Sequence, residues 1–129
     1  MSTLNVANIQ SLTTTTLPVI KNSAGTEVGR YVRAFCRIDG TGTASITSDF
    51  NVSSITDNGV GDYSLTFENA LPDANYAFTL GSSMPVNSGH CHPNVYQHAP
   101  TTTSIRVRVF NSTNSNLAAD DPRLCVAIF

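Results

Sequence analysis

Tryptophan is absent from these 129 residues, and lysine and glutamate together appear three times. Charged residues make up 12% of the chain, about half the usual share. Long solvated helices draw on Glu, Lys and Arg, so this depletion excludes them and leaves sheet as the main structure. Charge of one sign is also missing: a net charge of −2 gives no electrostatic footprint for nucleic acid or an anionic membrane. No apolar run approaches a membrane span, and no basic segment followed by an apolar stretch opens the chain. A protein made soluble, in a reducing compartment, is the expectation. The three cysteines, Cys36, Cys91 and Cys125, lack the paired spacing of a zinc site. Cys36 and Cys125 lie inside apolar alternations and read as small buried hydrophobes.

What is abundant is Ser, Thr and Asn, at fourteen, sixteen and twelve residues. The chain is long enough to bury one core without covalent staples. Residues 1–29 read as an extended N-terminal arm for docking or oligomerisation. Leu4, Val6, Ile9, Leu12 and Leu17 are too sparse to build a core, Thr13–Thr16 disfavours helix, and Lys21–Gly25 is a turn. From residue 30 to residue 129 the period is two. Val32, Ala34, Cys36 and Ile38 share one face of a strand and Tyr31, Arg33, Phe35 and Arg37 the other. Ala44–Phe50 is a second strand, with Ala44, Ile46 and Phe50 in register. Asp57-Asn58-Gly59-Val60-Gly61-Asp62 is a hairpin connection in which Asn58, Gly59 and Gly61 can adopt positive φ, after which Tyr63, Leu65 and Phe67 alternate inward. Ala70–Asn75 is a loop; Tyr76, Phe78 and Leu80 alternate again; residues 81–94 read as a long irregular loop. Ile105, Val107 and Val109 point inward against Arg106, Arg108 and Phe110 outward. Asn111–Pro122 is a polar loop, and the last strand alternates Leu124, Val126 and Ile128 with Cys125, Ala127 and Phe129, tying the C-terminus into the sheet. Seven or eight short strands without a helical period give an all-β fold, an antiparallel β-sandwich of jelly-roll-like type with an extended N-terminal arm.

Catalytic patterns are scarce. Asp39, Asp57, Asp62, Asp73, Asp120 and Asp121 fall in turns, where short carboxylates cap backbone amides. There is no Gly-x-Ser-x-Gly elbow and no Gly-rich loop before a helix. The expectation is therefore a non-enzyme with no catalytic residues and no cofactor. Asn51-Val52-Ser53 and Asn111-Ser112-Thr113 match the glycosylation sequon by composition. His90-Cys91-His92 supports two readings. As a loop tip it faces water; in extended conformation His90 and His92 point to one side, and three copies around a threefold axis would offer six nitrogens to a divalent transition metal. The outward sets Tyr31, Arg33, Phe35, Arg37 and Arg106, Arg108, Phe110 combine arginine with aromatics, the composition of protein–protein interfaces. The alternative for them is arginine stems lying over exposed rings.

Four stretches occur in order: Lys21–Gly29; Arg33-Ala34-Phe35 leading into Asp39-Gly40-Thr41-Gly42-Thr43; the Phe50–Phe67 hairpin; and Ala70–Tyr76. This series resembles the module of tail-fibre and other virion structural proteins of tailed bacteriophages, of the marine and cyanobacterial type. The first residues Met1–Val6 and the last residues Val126–Phe129 are similar to the ends of such proteins. Phe35 stands where many members carry Trp, and Gly81–Pro100 matches nothing in the family. The resemblance implies a virion structural protein, made in the host cytoplasm and displayed on the particle surface as a homo-oligomer, a trimer by kinship, among other capsid or tail proteins. Because the module nearly fills the chain, a short tail fibre, an adaptor, or a capsid decoration or knob is expected. The other functional reading is a carbohydrate-binding module that recognises a host surface glycan through Asn87, His90, His92, Asn94 and Tyr96.

Overall fold

The computed structural model describes residues 19–82, 91–95, 98–111 and 117–129. The chain divides into two units, residues 1–31 and 32–129. In the first, β1 (Ile20–Lys21) pairs antiparallel with β2 (Glu27–Gly29). The turn between them is the expected one. Asn22 Oδ1 accepts from the amides of Ala24 and Thr26, both at 3.0 Å, and Gly25 takes φ 80°. Arg30 and Glu27 form an ion pair, while Val19, Ile20 and Val28 are exposed. Residues 1–18 of the expected arm lie outside the described residues.

The second unit is an antiparallel β-sandwich, as the alternating pattern requires. One sheet has the order β4 (Ser45–Phe50), β3 (Ala34–Asp39), β11 (Leu124–Ile128), β7 (Phe78–Gly81). The other runs β5 (Val52–Gly59), β6 (Asp62–Phe67), β9 (Ser104–Asn111), with β8 (Cys91–Asn94) and β10 (Leu117–Ala118) also paired to β9. The inward residues are those the period-two reading selects. Ala34, Cys36 and Ile38, then Leu124, Val126 and Ile128, come from the first sheet; Tyr63, Leu65, Phe67, Ile105, Val107 and Val109 come from the second. All are buried, and the two apolar faces make one core. The C-terminal strand is central, held between β3 and β7, as its apolar alternation suggested.

Several local expectations are overturned. Residues 91–94, read as loop, form strand β8 on the edge of β9, and 117–118, read as polar loop, form β10. Val32 precedes β3 and is exposed. Tyr76 is buried outside any strand, its ring edge-on to Phe67 and its hydroxyl donating to the carbonyls of Thr101 and Ser104. Asn58 does not take positive φ. Among the described residues the non-glycine that does is Asn51, at 56°. Phe50 points outward rather than inward, because a bulge between Arg37 and Ile38 on the paired register shifts β4 by one residue. Ile46 stays opposite Ile38, but Phe50 then lies opposite Phe35.

Asn51 is the corner where the chain leaves β4 and enters β5 in the other sheet. A single residue must reverse the chain between sheets, and Asn tolerates the left-handed region best after glycine. Its amide nitrogen donates to the carbonyls of Arg33 and Asn69, and its oxygen accepts from the Asn69 amide at 2.8 Å. The side chain that matched a sequon is thus committed to clamping three segments together.

Candidate interaction surface

The two sheets present very different outer faces. On the five-stranded sheet, Asp62 lies opposite Arg108 and diagonal to Arg106 across the β6–β9 ladder. Arg106 grips it with two contacts, Nε to Oδ1 at 2.7 Å and a terminal nitrogen to Oδ2 at 2.9 Å. Arg108 Nε is 3.1 Å from Oδ2. Asn58 approaches the same carboxylate and donates to Ser64 Oγ at 2.8 Å. Asp62 is only 6% exposed. The hydrogen bond from Arg106 holds its carboxyl below the ordinary aspartate range, against the opposing effect of burial. Arg106 also meets His98 Nε2 at 2.7 Å, and the Arg108 guanidinium lies 5.2 Å from the centroid of the Phe110 ring. Arg106, Arg108 and Phe110 are therefore tied into an intramolecular network. Asp62, read as a turn residue, is its centre.

The outer face of the four-stranded sheet has no such network among the described residues. Register places Phe50, Phe35, Ala127 and Thr79 in one row across the four strands. Ser48, Arg37, Cys125 and Gly81 form the next. Phe35 and Phe50 stack with centroids 6.2 Å apart, yet remain 40% and 51% exposed. Phe129, 43% exposed, extends the outward alternation of β11, and its amide donates to the Ala77 carbonyl at 2.9 Å. The face is stepped: aromatic rings and Arg37 stand high on β4 and β3, while the short side chains of Ala127, Cys125 and Thr79 and the bare Gly81 lie low on β11 and β7. A groove of about 320 Å³ follows that step. Arg33 precedes β3 and is half-buried, whereas Tyr31 belongs to the first unit and is exposed. Cys125, expected inside, is exposed in the groove; Cys36, the next strand's inward neighbour, is buried, and burial pushes its thiol up to about 12.

The remaining sequence candidates are scattered. His90, Asn87 and Tyr96 lie outside the described residues. His92 takes a place in β8 opposite Phe110, and Asn94 is exposed at the end of that strand opposite Arg108. Among the described residues no group of three or more His, Cys, Asp or Glu is placed to hold a metal ion, and no helix is long and apolar enough to cross a membrane. The carboxylates do cap turns. Asp39 accepts from Thr41, Asp57 from the Gly59 amide, Asp73 from the Asn75 amide and Asp121 from the Arg123 amide. Asp120 does more: it accepts from the Gly61 amide at 2.7 Å and from the buried Tyr63 hydroxyl at 2.9 Å, joining the β10–β11 connection to the β5–β6 turn. Asp121 is fully buried, accepts a hydrogen bond from Ser82, and lends its carbonyl to the Gly40 amide.

No family model, curated protein or solved structure matches this chain. Sequence reading had found the aromatic and arginine residues of both faces but not the difference between them. Asp62 distinguishes the faces, and its partners are 44 residues away along the chain.

Proposed function

We propose that this chain is a non-enzymatic structural protein displayed on the surface of a tailed-phage particle, as a short tail fibre or adaptor or a capsid decoration or knob, and that it works as a homo-oligomer. The observation that carries the assembly part of the reading is the stepped apolar face over β4, β3, β11 and β7, with Phe35, Phe50 and Phe129 exposed together. Proteins that remain monomeric seldom leave contiguous aromatic surface bare beside small side chains. The particle part rests on the ordered motif series from Lys21 to Tyr76, which resembles virion modules. The described carboxylates that cap turns, and the Asp62 carboxylate gripped by Arg106, have structural employment that leaves no free pair for acid–base work.

A surface of Ser, Thr and Asn suits this setting, since its solubility does not depend on charge that salt would screen. The direct test is quantitative mass spectrometry of gradient-purified particles from an infection. The chain should co-purify in fixed ratio to the major capsid protein. Its presence in the lysate with none in the particles refutes the reading. Threefold symmetry is what the family resemblance implies for the oligomer, and light scattering on the recombinant protein measures it.

A further inference from the structure

Resting on the oligomeric reading above, we propose that the outer face of the four-stranded sheet is the seat of a second copy of this chain, related by a twofold axis parallel to the strands between β3 and β11. The step in that face is what points to a second copy rather than an unlike partner. An isologous contact requires one surface to be complementary to itself. Here the high half, on β4 and β3, and the low half, on β11 and β7, are each two strands wide and are aligned row by row. Rotation about the stated axis sets Phe35 of each copy on Ala127 of the other, and Phe50 on Thr79. In the next row the Arg37 stem covers Cys125 of the other copy while its guanidinium reaches toward the rim. Gly81 keeps the low half low: a Cβ there would make only ordinary contact with the Cys125 Cβ, at 3.8 Å, so the missing side chain leaves room on the shelf.

Area sets the expected strength. Four strands about 4.8 Å apart and about 3.4 Å per residue give a face of roughly 19 Å by 20 Å, at the low end of specific interfaces. The contact is therefore a reversible dimer in the micromolar range, not an obligate one. Packing is of the aligned sheet-on-sheet kind. The two Arg37 guanidiniums come near each other across the axis, so added salt should strengthen the dimer by screening them.

Light scattering and sedimentation over a concentration series that brackets the micromolar range test this. A monomer–dimer equilibrium is expected, weakened at least tenfold by Phe35→Asp and independently by Ala127→Arg. Both positions lie on the outer face, so far-UV circular dichroism should be unchanged. With Cys125→Ser in the background, Phe50→Cys protein mixed with Thr79→Cys protein should form an interchain disulfide that neither variant forms alone. A trimer whose mass neither substitution moves overturns the twofold face and leaves the oligomeric reading standing. A monomer throughout the series overturns both. Absence from purified particles, with the dimer and the disulfide present, sinks only the particle reading and supports the face.

Discussion

Replacing Gly61 and Gly42 by alanine, one at a time, separates crowding from backbone strain at nearly the same φ. Gly61 sits in the β5–β6 turn at φ 61° and Gly42 in the β3–β4 turn at φ 67°. An L-residue in this region costs about 1–2 kcal/mol at either site. Alanine also removes unfolded-state entropy equally at both, so that effect cancels in the comparison. The surroundings differ completely. A Cβ on Gly42 meets nothing within 4 Å. On Gly61 it would lie 2.6 Å from the Ala119 carbonyl oxygen, 2.7 Å from that of Val109 and 2.8 Å from the Ala119 nitrogen. All three are backbone atoms of the β9–β10 hairpin, which cannot swing aside as a long side chain would. Moving the turn away would stretch the 2.7 Å bond to Asp120 and the 2.8 Å bond from the Val109 amide to the Gly61 carbonyl. Overpacking of this kind costs about 1–3 kcal/mol, and weakening a hydrogen bond to a charged acceptor adds about 1–2 kcal/mol. Gly42→Ala should thus lose about 1 kcal/mol and Gly61→Ala about 3–5 kcal/mol. Urea unfolding at neutral pH reads the difference as a shift in midpoint at constant slope. Equal losses at the two sites would refute the crowding account, because the shared φ would then explain everything.

Other outcomes follow from the same contacts. Asp62→Asn should cost about 1–3 kcal/mol at neutral pH by leaving Arg106 and Arg108 facing a neutral amide. Since the folded-state pKa of Asp62 lies below the ordinary 3.8, its contribution is complete above that value and fades as pH falls through the lower folded one. Urea midpoints of wild type and variant should converge on acidification, and a constant gap down to strong acid would contradict this. At the corner, Asn51→Gly keeps the positive φ but loses the amide clamp, for about 1–2 kcal/mol, whereas Asn51→Ala loses both, for about 2–4 kcal/mol. Thermal denaturation should rank alanine below glycine; the reverse order would remove backbone strain from the explanation. Thiol labelling of the native protein should mark Cys125 promptly and Cys36 only on unfolding, since Cys36 is buried and its thiol pushed up to about 12. Peptide mapping that finds both labelled at one rate would show that β3 opens readily.

The parts of the fold legible in the sequence are those where burial alternates without interruption. In β3, β6, β9 and β11 every second residue is apolar, and those residues form the core. What escaped were features set by non-local partners. β8 has the sequence Cys91-His92-Pro93-Asn94, with a proline and no alternation. It is a strand because it occupies the free edge of β9, where a proline lacking an amide proton is tolerated. β10 is two residues long and exists because Asn111 and Phe110 leave ladder positions open beyond the end of β6. Phe50 was misplaced because parity counts fail at a bulge, and nothing in Ile46-Thr47-Ser48 announces one. Asn51 carries two conflicting local meanings, sequon and corner, and only the carbonyls of Arg33 and Asn69 decide between them.

The asymmetry of the outer faces extends that point to function. In sequence, Arg-Ala-Phe-Cys-Arg on β3 and Arg-Val-Arg-Val-Phe on β9 look like equivalent interface stretches. A carboxylate directly across the ladder separates them. Asp62 binds both arginines of β9 and draws their side chains flat over the sheet, so that face is closed by its own residues. On β3 the residue opposite Phe35 is another phenylalanine on one side and an alanine on the other. No charge gathers in Arg37, and the rings stay in water. An all-β sandwich must cover or solvate both outer faces. This one solvates the first with a charged network and leaves the second apolar, so the second is the face that gains most from a partner. Swapping the two cases tests the inference in both directions. Ala127→Glu should draw Arg37 across the ladder and close the four-stranded face, abolishing self-association. Asp62→Ala should release the β9 arginines without creating an equivalent contact, because that face lacks a low half to receive them. If Asp62→Ala instead promoted association as strongly as Ala127→Glu abolished it, the stepped shape would be irrelevant and exposed arginine alone would govern assembly.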